Sequence, residues 1–403
     1  MTGELDRRAL ATLGVGHLCA DMCQGAVPAL LPFLAAAHGW SYTQLGSLVL
    51  AMAIGSSLVQ PLFGLASDRV SQLWLLPAGV LVAGAGVAAA GIAPSYPTTV
   101  ASIALSGLGV AAFHPEGARF AGLASGARPG RGMSLFSVGG NTGFAVGPLL
   151  CTPLVLVFGL AGTLGLIVPT AAMAWLLRRE LPRMRGLRAE RGEAAAAGAG
   201  ADRWGPFAAL AGVVSLRSGV YFGLQSFVPL WFVAALGASE ALGNAALTAM
   251  LVAGALGTLA GGALVDRIGP RAVLVGTLCA SVPMLVAFPL VGPAPALVLL
   301  AAIGVVTIAS FSVTVILGQQ YLPNRLGLAS GVTLGLAIGV GGLMAGALGA
   351  VADAYGLEAV LWIIAVLPLP AGALAFVLPR EHATLGVKPR EVPATVRAEM
   401  HPS

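Results

Sequence analysis

Gly64-Leu65-Ala66-Ser67-Asp68-Arg69 returns 198 residues later as Gly262-Ala263-Leu264-Val265-Asp266-Arg267. Both copies read Gly-x3-Asp-Arg, and both fall on a polar turn between two long apolar segments. One such hexapeptide means little. Two copies with a common offset and a common place in the apolar pattern mean that the two halves of the chain repeat each other.

The rest of the composition says what is repeated. Of 403 residues, 57% are apolar and only 9% charged, with a mean hydropathy of +0.91. Soluble domains carry about 25% charged residues, so the chain is an all-α integral membrane protein. Segments long enough to cross a bilayer are expected at 9–36, 43–66, 73–92, 97–122, 132–157, 162–179, 206–235, 241–263, 271–290, 295–320, 327–351 and 358–378. The basic residues test that count. The loops 37–42, 93–96, 237–240 and 291–294 contain no Lys or Arg. The opposite side holds Arg7, Arg8, Arg69, Arg128, Arg131, Arg178 to Arg203, Arg267, Arg271, Arg325 and the tail from Arg380. This asymmetry predicts twelve spans with both termini in the cytoplasm. Arg7 and Arg8 before an apolar run resemble a signal peptide, but the run is too long and holds His17 and Asp21, so a retained first helix is expected.

Residues 180–205 begin basic, pass into alanine and glycine, and stop at Gly205-Pro206. They read as a cytoplasmic linker between an N-terminal bundle, 1–179, and a C-terminal bundle, 206–380, each of six helices. A cytoplasmic tail, 381–403, follows. Parallel six-helix repeats place a binding site between the halves near midplane. The four cysteines lie within apolar segments without metal or disulfide spacing, and no metal is expected.

Several polar side chains stand inside the spans. His17, Asp21, Gln24 and Pro28 fall within about 60° of one another on the first helix. A carboxylate at that depth is costly unless it serves a pathway, although a polar knot holding helices together would use the same residues. The fourth span ends in Phe113-His114-Pro115-Glu116-Gly117-Ala118-Arg119. Counting the rise per residue puts His114 level with His17, and Glu116 can pair with Arg119 three residues on. On the fifth span, Gly139, Gly143 and Gly147 form one smooth stripe that lets a neighbouring backbone approach. The seventh carries Arg217 about midway, with Tyr221 and Gln225 in its sector, 196 residues after Asp21. A buried Arg must be paired, either with Asp21 or with an anionic substrate. Thr307, Ser310 and Thr314 on the tenth span are weighed as packing.

With these residues in view, the chain resembles the major facilitator superfamily over its full length, and the paired Gly-x3-Asp-Arg turns look like that family's loop motif and its second-half copy. The resemblance implies the major facilitator fold of two pseudo-symmetric six-helix bundles. It also implies a cytoplasmic gate built from Asp68, Arg69, Arg119, Asp266 and Arg267. The first copy departs from the family pattern after Arg69, reading Val70-Ser71-Gln72. Gly143-Phe-Ala-Val-Gly147-Pro148 resembles the span-five motif of the family's proton-coupled drug exporters. More specifically, Gly16-His17-(x)3-Asp21-Met22-(x)-Gln24, Phe113-His114-Pro115-Glu116-(x)2-Arg119, the stretch from Ser134 to Gly143 and the stretch from Leu216 to Gly223 resemble the fosmidomycin-resistance branch.

The resulting expectation is a secondary active transporter of the bacterial inner membrane. It would expel a small anionic drug or metabolite, such as a fosmidomycin-like phosphonate, in exchange for protons by alternating access. Asp21, His17, His114 and Glu116 are the expected proton-coupling residues. Arg217, Gln24, Tyr221, Gln225 and Asn141 are the expected substrate contacts. Protons are the coupling ion, and no cofactor, nucleic acid or partner subunit is expected. The rival within transporters is proton-coupled uptake of a small organic anion. Rivals of other classes are a membrane sensor, for which the extramembrane segments are too short, and a metal-dependent enzyme, for which the spacing of His17, Asp21, His114 and Glu116 does not show convergence.

Overall fold

The computed structural model describes residues 5–60, 62–63, 72–125, 129–191, 201–323, 325, 328–329 and 331–379. Among them the chain is helical throughout, without strands. The first half contains α1 (Arg7–His38), α2 (Tyr42–Ala53, continued by π-helical Ile54–Leu58), α3 (Leu75–Ala90), α4 (Tyr96–Ser125) and α5 (Pro129–Phe158). A 3-10 segment, Gly159–Leu166, then leads into α6 (Ile167–Arg191). The second half contains α7 (Trp204–Ala234), α8 (Glu240–Ile268), α9 (Pro270–Ala287) and α10 (Pro293–Tyr321). It ends with α11 (Ala337–Tyr355, preceded by π-helical Gly331–Leu336), α12 (Leu357–Val366) and α13 (Pro368–Val377). Helix occupies part of each of the twelve expected stretches. Nine helical segments of the described residues are long and apolar enough to cross a membrane, and α3 is a shorter apolar helix. The fifth and sixth stretches run together within one of the nine, Leu135–Leu187.

Local chemistry starts and stops these helices. Asp6 caps α1 by accepting from the Ala9 amide, and Gly39, at φ 63°, closes it on the Ala35 carbonyl. Ser41 and Gln44 form a reciprocal capping box on α2. Pro270 opens α9 directly after Gly269, whose φ of 83° makes the turn from α8. Helical backbone leaves no amide or carbonyl unpaired in lipid, which is why a chain of this composition takes no other form.

The helix α6 continues to Arg191, through the first part of the segment expected to be linker. The extension is held to the start of the chain. Arg8 pairs with Glu180, and Arg183 donates to both carboxylate oxygens of Asp6, at 3.0 and 2.9 Å. Burial alone would raise the Asp6 carboxyl, but the hydrogen bonds from Arg183 and the Ala9 amide outweigh it and hold the group below its ordinary value. A carboxylate depressed in the folded state adds stability above its unfolded pKa of about 3.9 and loses it as pH falls through the folded value. Asp6→Asn keeps a cap acceptor and loses the charge that faces Arg183, so it should lower the thermal unfolding midpoint in detergent at neutral pH by the equivalent of about 0.2–1 kcal/mol. The difference from wild type should vanish in strong acid. A difference that persisted there would remove the carboxylate from the account.

The apolar core has two different ends. At the end remote from Arg7, residues of both halves intermix in one cluster, with Leu30 and Leu34 of α1 beside Phe227 and Trp231 of α7. At the end nearer Arg7 the core divides. One cluster gathers first-half residues around Phe113, Phe120 and Leu177, and another gathers second-half residues around Leu210, Leu274 and Tyr321. Among the described residues, the halves share a core cluster distally and have separate ones proximally. The distal junction has specific links: Asn244 of α8 donates to the Ala29 carbonyl at 2.9 Å, and Asp353 of α11 accepts from the Tyr42 and Thr43 amides, both at 2.8 Å. Between α2 and α11, a side chain at Gly46 would meet the Ala345 backbone, and one at Gly349 would meet Tyr42.

Candidate functional site

Helical periodicity brings His17, Asp21 and Gln24 to one face of α1, and that face packs on α4 and α5. The His17 Nδ1 donates to the Phe136 carbonyl at 2.8 Å, and its ring stacks on Phe136 with centroids 4.1 Å apart. His114 Nδ1 donates to the Val110 carbonyl one turn back on α4, also at 2.8 Å. A carbonyl only accepts, so both Nδ1 atoms carry the hydrogen and both Nε2 atoms are left to face inward. They do so at close quarters. The two Nε2 atoms are 3.1 Å apart, with His17 Nε2 3.1 Å from Asp21 Oδ2 and His114 Nε2 3.3 Å from Asp21 Oδ1. Gln24 Nε2 donates to Asp21 Oδ1 at 2.9 Å. Asp21 and Gln24 are buried, while the His114 side chain keeps 18% exposure.

Two neutral imidazoles in this tautomer and one carboxylate are three acceptors pointed at each other. Lone pairs facing at such distances repel, and Gln24 relieves only one carboxylate oxygen. At least one positive charge has to sit among them. A single proton makes the site neutral and supplies the missing donor.

Glycine makes room for this cluster. A side chain at Gly140 of α5 would lie 2.6 Å from Asp21 Oδ2 and from His17 Nε2. Gly139 lies against the Gly14 carbonyl, Gly143 against Leu18 and Met22, and Gly147 against Gly25 and Ala26, so the expected stripe packs α5 on α1. Gly140→Ala should lower thermal stability by about 1–3 kcal/mol, as overpacking does. It should also displace both His17 and Asp21, seen as shifted histidine ring resonances by NMR. Unchanged resonances would refute the contact.

Not every expected member of the site is here. Glu116, expected with the proton-coupling group, is fully buried but accepts from the Gln72 amide instead. It stands two residues after His114, and that spacing turns it to the opposite side of α4. Arg119 follows it towards the proximal end of the same helix. Of the expected gate, Asp68 and Arg69 lie outside the described residues, as does the side chain of Asp266; Arg267 is exposed at the end of α8.

Arg217 is not paired with Asp21 in this conformation. It is 4% exposed and lies over the Phe311 ring at 5.2 Å, and its Nε has no hydrogen-bond partner. It faces a cavity of about 10 Å³ among α7, α9, α10 and α13, with Thr277, Ser281, Thr307 and Ser310 around it. That is room for about one water. Thr277, Ser281 and Ser310 give their hydrogens to carbonyls of their own helices, so they offer lone pairs to the guanidinium. Sequence reasoning missed Thr277 and Ser281 and took Thr307 and Ser310 for packing. The polar spacing along α9 was the available signal. Tyr221 lies within electrostatic reach of both Arg217 and Asp21. Gln24 and Gln225 line a second small cavity between the halves, together with Pro28, Met52, Phe144 and Phe222. The Gln225 side-chain nitrogen has no partner there. Asn141 is half-buried on α5, next to Gly140.

Comparison with known proteins follows the same lines. The chain is 33% identical over 389 residues to the MFS-type transporter YfnC of Bacillus subtilis (strain 168), covering 92% of this chain and 93% of that one. It is 32% identical over 376 residues to the fosmidomycin resistance protein of Escherichia coli (strain K12), covering 92% of each. Among solved structures, a bacterial homologue of the human lysosomal transporter Spinster, inward-facing and occupied, superposes with a TM-score of 0.73 at 15% identity, over 92% of this chain and 96% of that one. The nucleoside transporter NupG gives 0.72 at 12% identity, over 92% and 100%. The family profile of the Major Facilitator Superfamily matches residues 13–345 and 210–399. A repeated, all-helical chain with polar groups buried between its halves thus belongs to the Major Facilitator Superfamily of membrane transporters.

Proposed function

We propose that this transporter exchanges protons for a small organic anion, and that the proton rides on His17, Asp21 and His114. The observation that carries the reading is the convergence of three acceptors on a space that needs a positive charge. Protons are the only coupling ion invoked, and the cluster is complete within a single chain, which supports a monomer. The basic residues of the proximal end orient it towards the cytoplasm of the inner membrane, with both termini inside. The joined distal end is then the closed periplasmic face.

Arg217 is the candidate partner for the negative group of the substrate. Its Nε is unsatisfied and its hydroxyl neighbours are weak competitors for a guanidinium. Gln24, Tyr221, Gln225 and Asn141 are the candidate polar contacts around it. Substrate at Arg217 and a proton at Asp21 would each favour a different arrangement of the halves, which is the condition for coupling. The name of the Escherichia coli relative supports export and makes a phosphonate the first substrate to test.

The test is transport in proteoliposomes under an imposed pH gradient, with fosmidomycin, a dicarboxylate and a cationic dye. Gradient-driven movement of the phosphonate opposite to protons is expected. Movement of the dye alone would defeat the anion assignment. Movement in the same direction as protons would turn the exporter into an uptake system.

A further inference from the structure

We infer that His17, Asp21 and His114 also form a binding site for a divalent transition-metal ion, of which Zn²⁺ fits best. The inference goes beyond the transport reading, and the binding half of it stands without that reading. Zinc holds imidazole nitrogens at about 2.0–2.1 Å and carboxylate oxygens at about 2.0–2.2 Å in tetrahedral geometry, so ligand atoms on one face lie roughly 3.3 Å apart. The contacts here are 3.1 Å between the Nε2 atoms, 3.1 Å from His17 Nε2 to Asp21 Oδ2 and 3.3 Å from His114 Nε2 to Asp21 Oδ1, so each imidazole meets its own carboxylate oxygen. One ligand atom from each residue lies within 4.8 Å of the others. The two imidazole nitrogens already have about the spacing of a tetrahedral edge, and a turn of the Asp21 carboxylate brings one oxygen towards both, with a fourth position left for water.

The outer contacts are those a metal site uses. Each histidine donates its Nδ1 hydrogen to a backbone carbonyl, Phe136 or Val110, which fixes the tautomer that presents Nε2 to a metal. Gln24 holds the carboxylate from behind. Access runs past the partly exposed His114 side chain. Two nitrogens and one carboxylate suit Zn²⁺ and its neighbours in the transition series, whereas Mg²⁺ and Ca²⁺ prefer oxygen ligands and more of them. The sequence spacing did not show convergence of the four residues; in the structure three of them converge and Glu116 does not. Where the trio is also the coupling site, a bound metal stands in place of the proton, and the transporter is inhibited by zinc.

Calorimetry on the purified full-length protein, without a histidine tag and in detergent, tests the site with Zn²⁺ and with Mg²⁺ as control. One Zn²⁺ per chain is expected, with no response to Mg²⁺. His114→Gln should weaken binding more than about 100-fold, beyond what loss of an outer contact costs. His114→Cys should restore it, since a thiolate is a zinc ligand. Thermal unfolding without metal checks that each variant is folded. Zinc binding that is equal in wild type, His114→Gln and Asp21→Asn would overturn the site, and so would an absence of binding, while leaving proton-driven transport untouched. Zinc bound at the site with transport undiminished would keep the metal site and remove the trio from coupling.

Discussion

Asp21→Asn is expected to give a folded protein that moves substrate down its gradient and no longer accumulates it against one. The argument lies in what each side chain offers its neighbours. Asp21 brings two acceptors to a space already crowded by two Nε2 lone pairs, and only an added proton reconciles them. Asparagine has the same shape and carries a permanent donor. Its amide can donate to one histidine while its oxygen still accepts from Gln24. The site becomes neutral without borrowing a proton, and although the His114 Nε2 still lacks a donor, the buried negative charge that called for the proton is gone, so the fold should hold. One pH unit is worth about 1.4 kcal/mol, so exchange of one proton supports about tenfold accumulation per unit. The variant should support none while retaining exchange of substrate for substrate. Asp21→Ala is a poorer test, because it leaves a cavity and two facing lone pairs. If Asp21→Asn still concentrated substrate in proportion to the imposed gradient, the proton would have to bind elsewhere.

Much of this site could be read from the chain because it rests on periodicity within one helix. His17 and Asp21 stand four residues apart, and the stripe at Gly139, Gly143 and Gly147 repeats every four, so each group shares a face whatever the tertiary structure. Joining His114 to them took a count of depth together with the family resemblance, which sets the first and fourth helices around one cavity. The same periodicity already separated Glu116 from His114, and grouping them by chemical type overrode it. The surroundings of Arg217 were not legible, for another reason. Its neighbours at Thr277 and Ser281 belong to α9, and the rotation of α7 about its own axis depends on packing that no local pattern encodes. The extension of α6 to Arg191 was hidden because its charges read as linker until Asp6 and Arg8 are seen beside it. Asp353 was invisible altogether. An acid in the last turn of a helix opposes the helix dipole, and its partners are more than 300 residues away.

Asp353→Ala is expected to shift the protein towards an arrangement open at the distal end. Asp353 is exposed, and its placement is unfavourable for α11 itself. What it does instead is accept from the amides of Tyr42 and Thr43, two of the first donors of α2, which belong to the other half of the chain. Ser41 and Gln44 cap α2 locally, so the helix survives the loss and only the link between the halves goes. Hydrogen bonds to a charged group contribute about 1.5–3 kcal/mol each, and exposure to solvent brings such a pair down to roughly 2 kcal/mol in total. That corresponds to about thirtyfold in the balance between distally closed and open forms. The carboxylate is ionised at neutral pH, so the link is present under ordinary conditions. Spin labels at His38 and Tyr355, both exposed near this junction, report the change in a background without the native cysteines. The long-distance population should grow in Asp353→Ala and grow less in Asp353→Asn, which keeps one acceptor. Identical distance distributions in all three proteins would mean that Asn244 and the close packing of α2 on α11 hold the distal end without it. If the shift appears, transport should weaken as well, because a carrier held poorly at one end leaks its gradient when the other end opens.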